Sequence, residues 1–401
     1  MKTYHLQTLV LALLSALLSI SCGVSGSGTI AAGGGIGGSG IISVGTITAF
    51  GSIVVNGTEF DTSNAVIIVE GEEIGVGDDI VLDNLDIGMV VTVEGTGSED
   101  GESAVADRVI YNDNVEGPVQ SIPFVNDTRK DIVVLGQTVI LNTVTVFKGT
   151  IFDEIAVNDV VEVSGLCDYT GDIWATFLEK TDGVIFEVTG FVDNLDPVQK
   201  TFKINDLTVD YSSADTSGLP GGLPADGLLV EVEGTLDPDT GEMLADVIEL
   251  GDELDAEDAD AIEVTGFVTD FVSAFEFTVG TQVVRTDADT VFVDGTADDI
   301  ALGVKLEAEG SLEDGILFAE EVEFWGPDQI EVEGLVTDIV SPSEFTVGDQ
   351  VVQTDAETVY EGGTPDDIAL GVNLEIKGVP VDIIRSILVA DKVSFEDEEF
   401  E

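Results

Sequence analysis

The heptad DDIALGV occurs at 298–304 and again at 366–372, and it belongs to a repeat that runs through most of the chain. EVTGFVTD (263–270) returns as EVEGLVTD (331–338), and VVRTDADTVF (283–292) as VVQTDAETVY (351–360), each 68 residues on. Fainter copies open at SVGTITA (43–49), VEGPVQS (115–121) and EVTGFVDN (187–194). Each copy later reaches an alternating segment ended by glycine: VVTVEG (90–95), VVEVSG (160–165), LVEVEG (229–234), VKLEAEG (304–310) and VNLEIKG (372–378). A motif repeated at this period is one folding unit copied in series. The reading is five units of one design.

Within the fourth unit the order of elements follows from pattern. Strand one is expected at 262–271, strand two near 275–279, strand three at 282–292, strand four at 304–311 and strand five at 316–324. In strand four Val304, Leu306 and Ala308 share one face and Lys305, Glu307 and Glu309 the other, the period of two of a half-buried sheet. Between strands three and four, TADD (296–299) and TPDD (364–367) match the Ser/Thr-x-x-Asp/Glu signal of a helix start. Ile-Ala-Leu would supply one turn, and Gly303 or Gly371 would end it in the left-handed conformation. The acids of the heptad are therefore capping groups. Three strands, a short helical turn and two more strands is the order of the OB-fold, a small Greek-key barrel, and other small barrels or paired sheets fit the same order. The expected architecture is all-β: five tandem OB-like β-barrels at 43–112, 113–183, 184–250, 262–326 and 327–396, with an acidic linker at 251–261 and an acidic tail at 397–401.

The segments ITAFGSIVVNGTEFDTSNAVIIVEG (47–71), VEGPVQSI (115–122), VVLGQTVILNTVTVF (133–147) and VNDVVEVSG (157–165) resemble the bacterial domain-of-unknown-function family 5666. The likeness spans most of 43–396. It implies an exported lipoprotein with a Gly-rich tether and tandem small β domains. The family offers no activity to transfer, so no functional residue is carried over. This chain departs from it in being unusually acidic.

Residues 1–21 read as an export signal: Lys2 supplies the positive start and LVLALLSALLSI (9–20) an apolar run too short to span a bilayer. Cleavage before Cys22 followed by acylation of its thiol would give a lipoprotein, although Ser19 stands where a lipobox usually has Leu. Ser19 and Ser21 also fit an ordinary small-x-small cleavage, which would release a soluble protein. The Gly/Ser-rich tether at 22–42 favours the anchor, hence a membrane partner through an N-terminal lipid and outer-membrane localisation, periplasmic or surface-facing.

With 80 Asp+Glu against 13 Lys+Arg the net charge is −67, yet 44% of residues are hydrophobic, so the chain is folded beneath an acidic coat. That surface repels nucleic acid and gathers divalent cations diffusely. The only histidine is His5, inside the expected signal, which leaves no imidazole for triads, proton shuttles or zinc. No phosphate loop or dinucleotide fingerprint is present, and the expectation is a non-enzyme. With Cys22 assigned to the anchor, Cys167 stands alone and is expected to be a small buried or half-buried residue beside a turn rather than a catalytic thiol. Asp237, Asp239 and Glu242 in DPDTGE offer a speculative calcium loop, though the same turn residues are favoured by hairpin geometry alone. No other cofactor is expected. Trp174 and Trp325 could stack on a sugar or serve as core plugs. The functions in view are therefore an envelope scaffold, spacer or binding module with a protein or glycan partner, or else a calcium-dependent adhesion or carbohydrate-binding protein.

Overall fold

The computed structural model describes residues 40–50, 52–97, 103–251, 259–348, 350–382 and 387–395, all within one compact unit, Gly38–Glu401. The export signal, Cys22, most of the tether, the centre of the acidic linker and the tail lie outside the described residues.

Every repeat closes on itself. In barrel four, strand one (Ala259–Ser273) pairs antiparallel with strand two (Glu276–Val279), and strand two with strand three (Gln282–Arg285). Strand three lies parallel to strand five (Ile316–Trp325), which runs antiparallel to strand four (Lys305–Glu313), and strand four returns to strand one. This 1-2-3-5-4-1 circuit is the OB barrel, in which each of the five strands is paired on both sides. Barrels one (Gly40–Tyr111), two (Val115–Thr181), three (Phe186–Leu250) and five (Ile330–Phe395) repeat the circuit. In barrel three strand one is interrupted: Phe186–Phe191 pairs with strand four and Asp193–Asp196 with strand two.

The closing glycines explain how so few strands bend into a barrel. Gly95, Gly165, Gly234, Gly310 and Gly378 each sit at a register shift between strands four and five. A Cβ at these positions would run into the carbonyl oxygen of Val105, Trp174, Leu244, Phe318 or Val389 on strand five. The bulge brings the backbones together, and only glycine fits.

Two local expectations change. Strand three of barrel four is not continuous over 282–292; a second piece, Val291–Val293, resumes the parallel pairing with strand five after a turn. Asp287 makes that turn: its Oδ1 accepts from Asp289 N–H, and its own N–H donates to Thr290 Oγ1. The helical turn is also displaced. It is a 3-10 turn over Ala297–Asp299 and again over Pro365–Asp367, and Ile300 and Ile368 are already extended. Ile300 is buried in the barrel, which is why the chain stops coiling there. In both copies the N-cap threonine donates to the third-residue aspartate through its backbone N–H (3.0 Å) and its hydroxyl. Gly303 and Gly371 do take the left-handed conformation. In barrel one the same segment is a full helix, Asp78–Asn84, with Val81 buried beneath it.

The barrels interlock. Strand one of barrel one pairs in parallel with strand one of barrel four, Ile41–Val44 against Ala261–Val264. Strand one of barrel two meets strand one of barrel three at Glu116–Glu187 and Val115–Val188, and the cores of these two barrels form one cluster. Phe177 leaves the phase of barrel two's strand five and is fully buried in the core of barrel one. Burying a phenylalanine this way contributes about 1.5–3 kcal/mol to the joint.

Candidate functional site

OB barrels commonly bind ligands on the strand two–three face and the adjoining loops. In barrel two the strand two–three hairpin, the residue after strand three and the strand four–five loop are engaged by its neighbours. At the strand two–three hairpin, Gln137 Nε2 donates to Ile204 O of barrel three (3.1 Å), and Asn205 Nδ2 to Gln137 Oε1 (2.6 Å). Asn142, just beyond strand three, donates through Nδ2 to Asp328 Oδ1 at the start of barrel five (2.6 Å). The strand four–five loop accepts at Gly171 O from Asn205 Nδ2 (3.3 Å).

Both tryptophans lie at joints. The Trp174 ring is 5.4 Å from that of Phe267 in barrel four, with the Arg129 guanidinium 5.5 Å from its centroid and Nε1 donating to Asp168 Oδ2. Lys377 and Lys305 place Nζ at 4.4 and 5.4 Å from the centroid of Trp325. These contacts occupy the rings with cations and a second aromatic.

The acids are ordered by the sheet. Across barrels two and three, Glu179, Glu162, Glu116, Glu187 and Glu233 stand directly opposite one another on successive strands. Residues in such register share a face, and like charges so placed repel. Where this row reaches barrel one, three carboxylates converge, from barrel one, barrel three and the link into barrel two. Glu70 comes from the turn after Ile68 and Val69 of barrel one, Asp113 from the link into barrel two and Glu187 from strand one of barrel three; one oxygen of each lies within 4.8 Å of the others. Asp113 is buried, and its N–H donates to Glu70 Oε1 (3.0 Å). Burial, then the charges of Glu70 and Glu187, push its carboxyl well above the usual range. Glu162 alongside, bonded to Tyr111 Oη at 2.8 Å, is raised to about 6, chiefly by burial.

Asp237, Asp239 and Glu242 occupy the strand four–five hairpin of barrel three. Asp237 Oδ1 accepts from the N–H groups of Asp239 (2.8 Å) and Thr240 (3.1 Å), and Asp237 N–H donates to Glu242 O. Cys167 is exposed rather than buried, because it is the last residue of strand four of barrel two where the chain enters the hairpin, and it accepts from Asn114 Nδ2 at 3.6 Å. The cluster of Glu70, Asp113 and Glu187 escapes a local reading because its members share no spacing.

The geometry defines a tandem OB-type barrel protein with its barrels fused by shared sheets and acid-rich joints. The model of the family "Domain of unknown function (DUF5666)" matches residues 116–179, 189–249, 265–323 and 333–393, and the chain belongs to that family. No curated protein matches it. Among solved structures, drosophila Unr CSD456 is 14% identical, over 53% of this chain and 97% of that one, with a TM-score of 0.13.

Proposed function

We propose that this protein is a non-catalytic, exported lipoprotein whose barrels form an envelope scaffold or spacer, held to the outer membrane through acylated Cys22. The observation that carries the reading is the use made of barrel two: its strand two–three hairpin and strand four–five loop, which adjoin the surface an OB barrel offers to ligands, bond to barrel three instead. Support also comes from the strand pairing between barrels one and four and between two and three, which turns tandem domains into a stiff array. The tryptophans on which a carbohydrate-binding reading rests are engaged within that array. The acidic coat suits partners that are basic or bridged by cations.

Metabolic labelling with palmitate tests the anchor: wild type takes up label and Cys22→Ser does not. An unlabelled wild type would reject it. Screening the soluble Cys22→Ser chain against a glycan panel tests the rest, with neither retention nor turnover expected; saturable binding of one glycan class would replace scaffold by lectin.

A further inference from the structure

We propose that the junction of barrels one, two and three binds a divalent cation, Ca²⁺, through the carboxylates of Glu70, Asp113 and Glu187. The donor set is all oxygen, the chemistry of a hard cation. Oxygens that share one Ca²⁺ at about 2.3–2.6 Å lie within about 5 Å of each other, and these three meet that limit at 4.8 Å.

Proximity of acids is not enough in a chain with 80 of them, and a second observation singles out this cluster. Asp113 is only 6% exposed, its carboxylate lies within the cluster, and its Oδ1 is buried with no hydrogen-bond donor. The hydroxyl oxygen of Thr189, two residues beyond Glu187, is buried without a partner as well, while Glu187 itself shares side-chain hydrogen bonds with Glu70 and Glu231. Buried oxygens of this kind cost free energy unless something positive meets them. The charged groups acting most strongly on Asp113 are Glu70, Glu187, Glu162 and Glu116, every one an acid. A cation supplies what the side chains do not.

The placement gives the ion a task. The ligands come from barrel one, from the link into barrel two and from barrel three, so binding would tie the three barrels at one point and relieve the glutamate row that passes through Glu187. The site is distinct from the hairpin of Asp237, and it stands or falls apart from the scaffold reading.

The test uses the full chain carrying Cys22→Ser, stripped with a chelator and titrated with CaCl₂ by calorimetry at physiological salt, which suppresses diffuse condensation. Saturable heat at one ion per chain is expected, weakened at least tenfold in Asp113→Asn and in Glu187→Gln and unchanged in Asp237→Asn. Far-ultraviolet circular dichroism checks that the variants fold; should Asp113→Asn fail, Glu187→Gln and Glu70→Gln carry the comparison. Terbium luminescence sensitised by Tyr111, beside Asp113 in the chain, gives a second readout and should be displaced by calcium. The proposal is overturned by heat that never saturates, by stoichiometric heat that survives the junction variants, or by loss only in Asp237→Asn. The first result would mean that the junction acids keep their protons instead of an ion.

Discussion

Lys377 of barrel five places Nζ 2.5 Å from Glu323 Oε2 of barrel four, with the two side chains 9% and 11% exposed. The same ammonium reaches Glu331 Oε2 at 3.3 Å and lies against Trp325. One lysine therefore bridges carboxyl groups from two barrels at their joint. Removing one partner of a buried pair strands the other charge, at about 3–5 kcal/mol. Lys377→Met should release barrel five early, as a separate low-temperature calorimetric transition and as faster proteolysis between residues 326 and 329. Adding Glu323→Gln should recover part of the loss, since it removes one stranded charge. A single unshifted transition in Lys377→Met would refute the joint.

The bulge glycines make a prediction that helix or strand propensity would not. In Gly165→Ala the new methyl meets the Trp174 carbonyl oxygen, so strands four and five must separate. Overpacking of this kind costs about 1–3 kcal/mol. Gly326→Ala, whose methyl would meet Gln329 Cβ at an ordinary 3.4 Å, is the control and should be nearly neutral in urea unfolding. Equal midpoints for the two variants would remove the steric account of barrel closure.

The repeated heptad contains two aspartates that the structure separates. Both are exposed, but Asp299 Oδ2 accepts from both the N–H and the hydroxyl of Thr296. Asp299→Ala should cost about 1 kcal/mol, in the range of a lost cap. Asp298→Ala should change the unfolding midpoint little. The reverse order would show that charge, not capping, is what the motif keeps.

What the sequence makes legible is whatever repeats or alternates over a short span. Val304, Leu306 and Ala308 announce strand four because the pleat has a period of two, and Gly310 recurs because closure needs it in every copy. Asp287 broke an expected strand because an aspartate that bonds its own backbone competes with the ladder, and apolar alternation does not register that competition. The pairing of Ile41–Val44 with Ala261–Val264 joins segments 220 positions apart (Ser43 donates to Glu263 across it), and no local pattern encodes such contacts. The same limit hid the acid junction. Glu70, Asp113 and Glu187 sit in strand-and-turn contexts like those of many other acids, while DPDTGE drew attention because its oxygens are close in sequence. Burial decides which acids matter, and burial is set by neighbours from other barrels.

Burial also sets an unusual response to pH. Where barrels one, four and five meet, half-buried Glu307 is raised to about 7 and Glu331 to about 8, in both cases chiefly by burial, against an ordinary value of 4.5. Glu263 is raised in the same way, with the charges of Glu307 and Glu309 adding to burial. Lys377 and Thr265 oppose the shift at Glu307, and Glu323, Glu309 and Glu375 are the other acids facing this cluster. Between about pH 4.5 and 8 the folded chain therefore holds protons that the unfolded chain has released. By linkage its stability is greatest near the lower end and falls as pH rises through the folded values, the reverse of ordinary acid denaturation. Acids with lowered values, such as Asp159 beside Lys180, lose their contribution only below about pH 4, outside this window. With a chelator present to keep cations out of the comparison, the thermal midpoint should be several degrees higher at about pH 5 than at about pH 8. Glu307→Gln should flatten that difference by removing one of the titrating groups. A midpoint that rises with pH over this range would mean that these carboxylates stay ionised in the folded chain and that the joints are held by some other balance of charge.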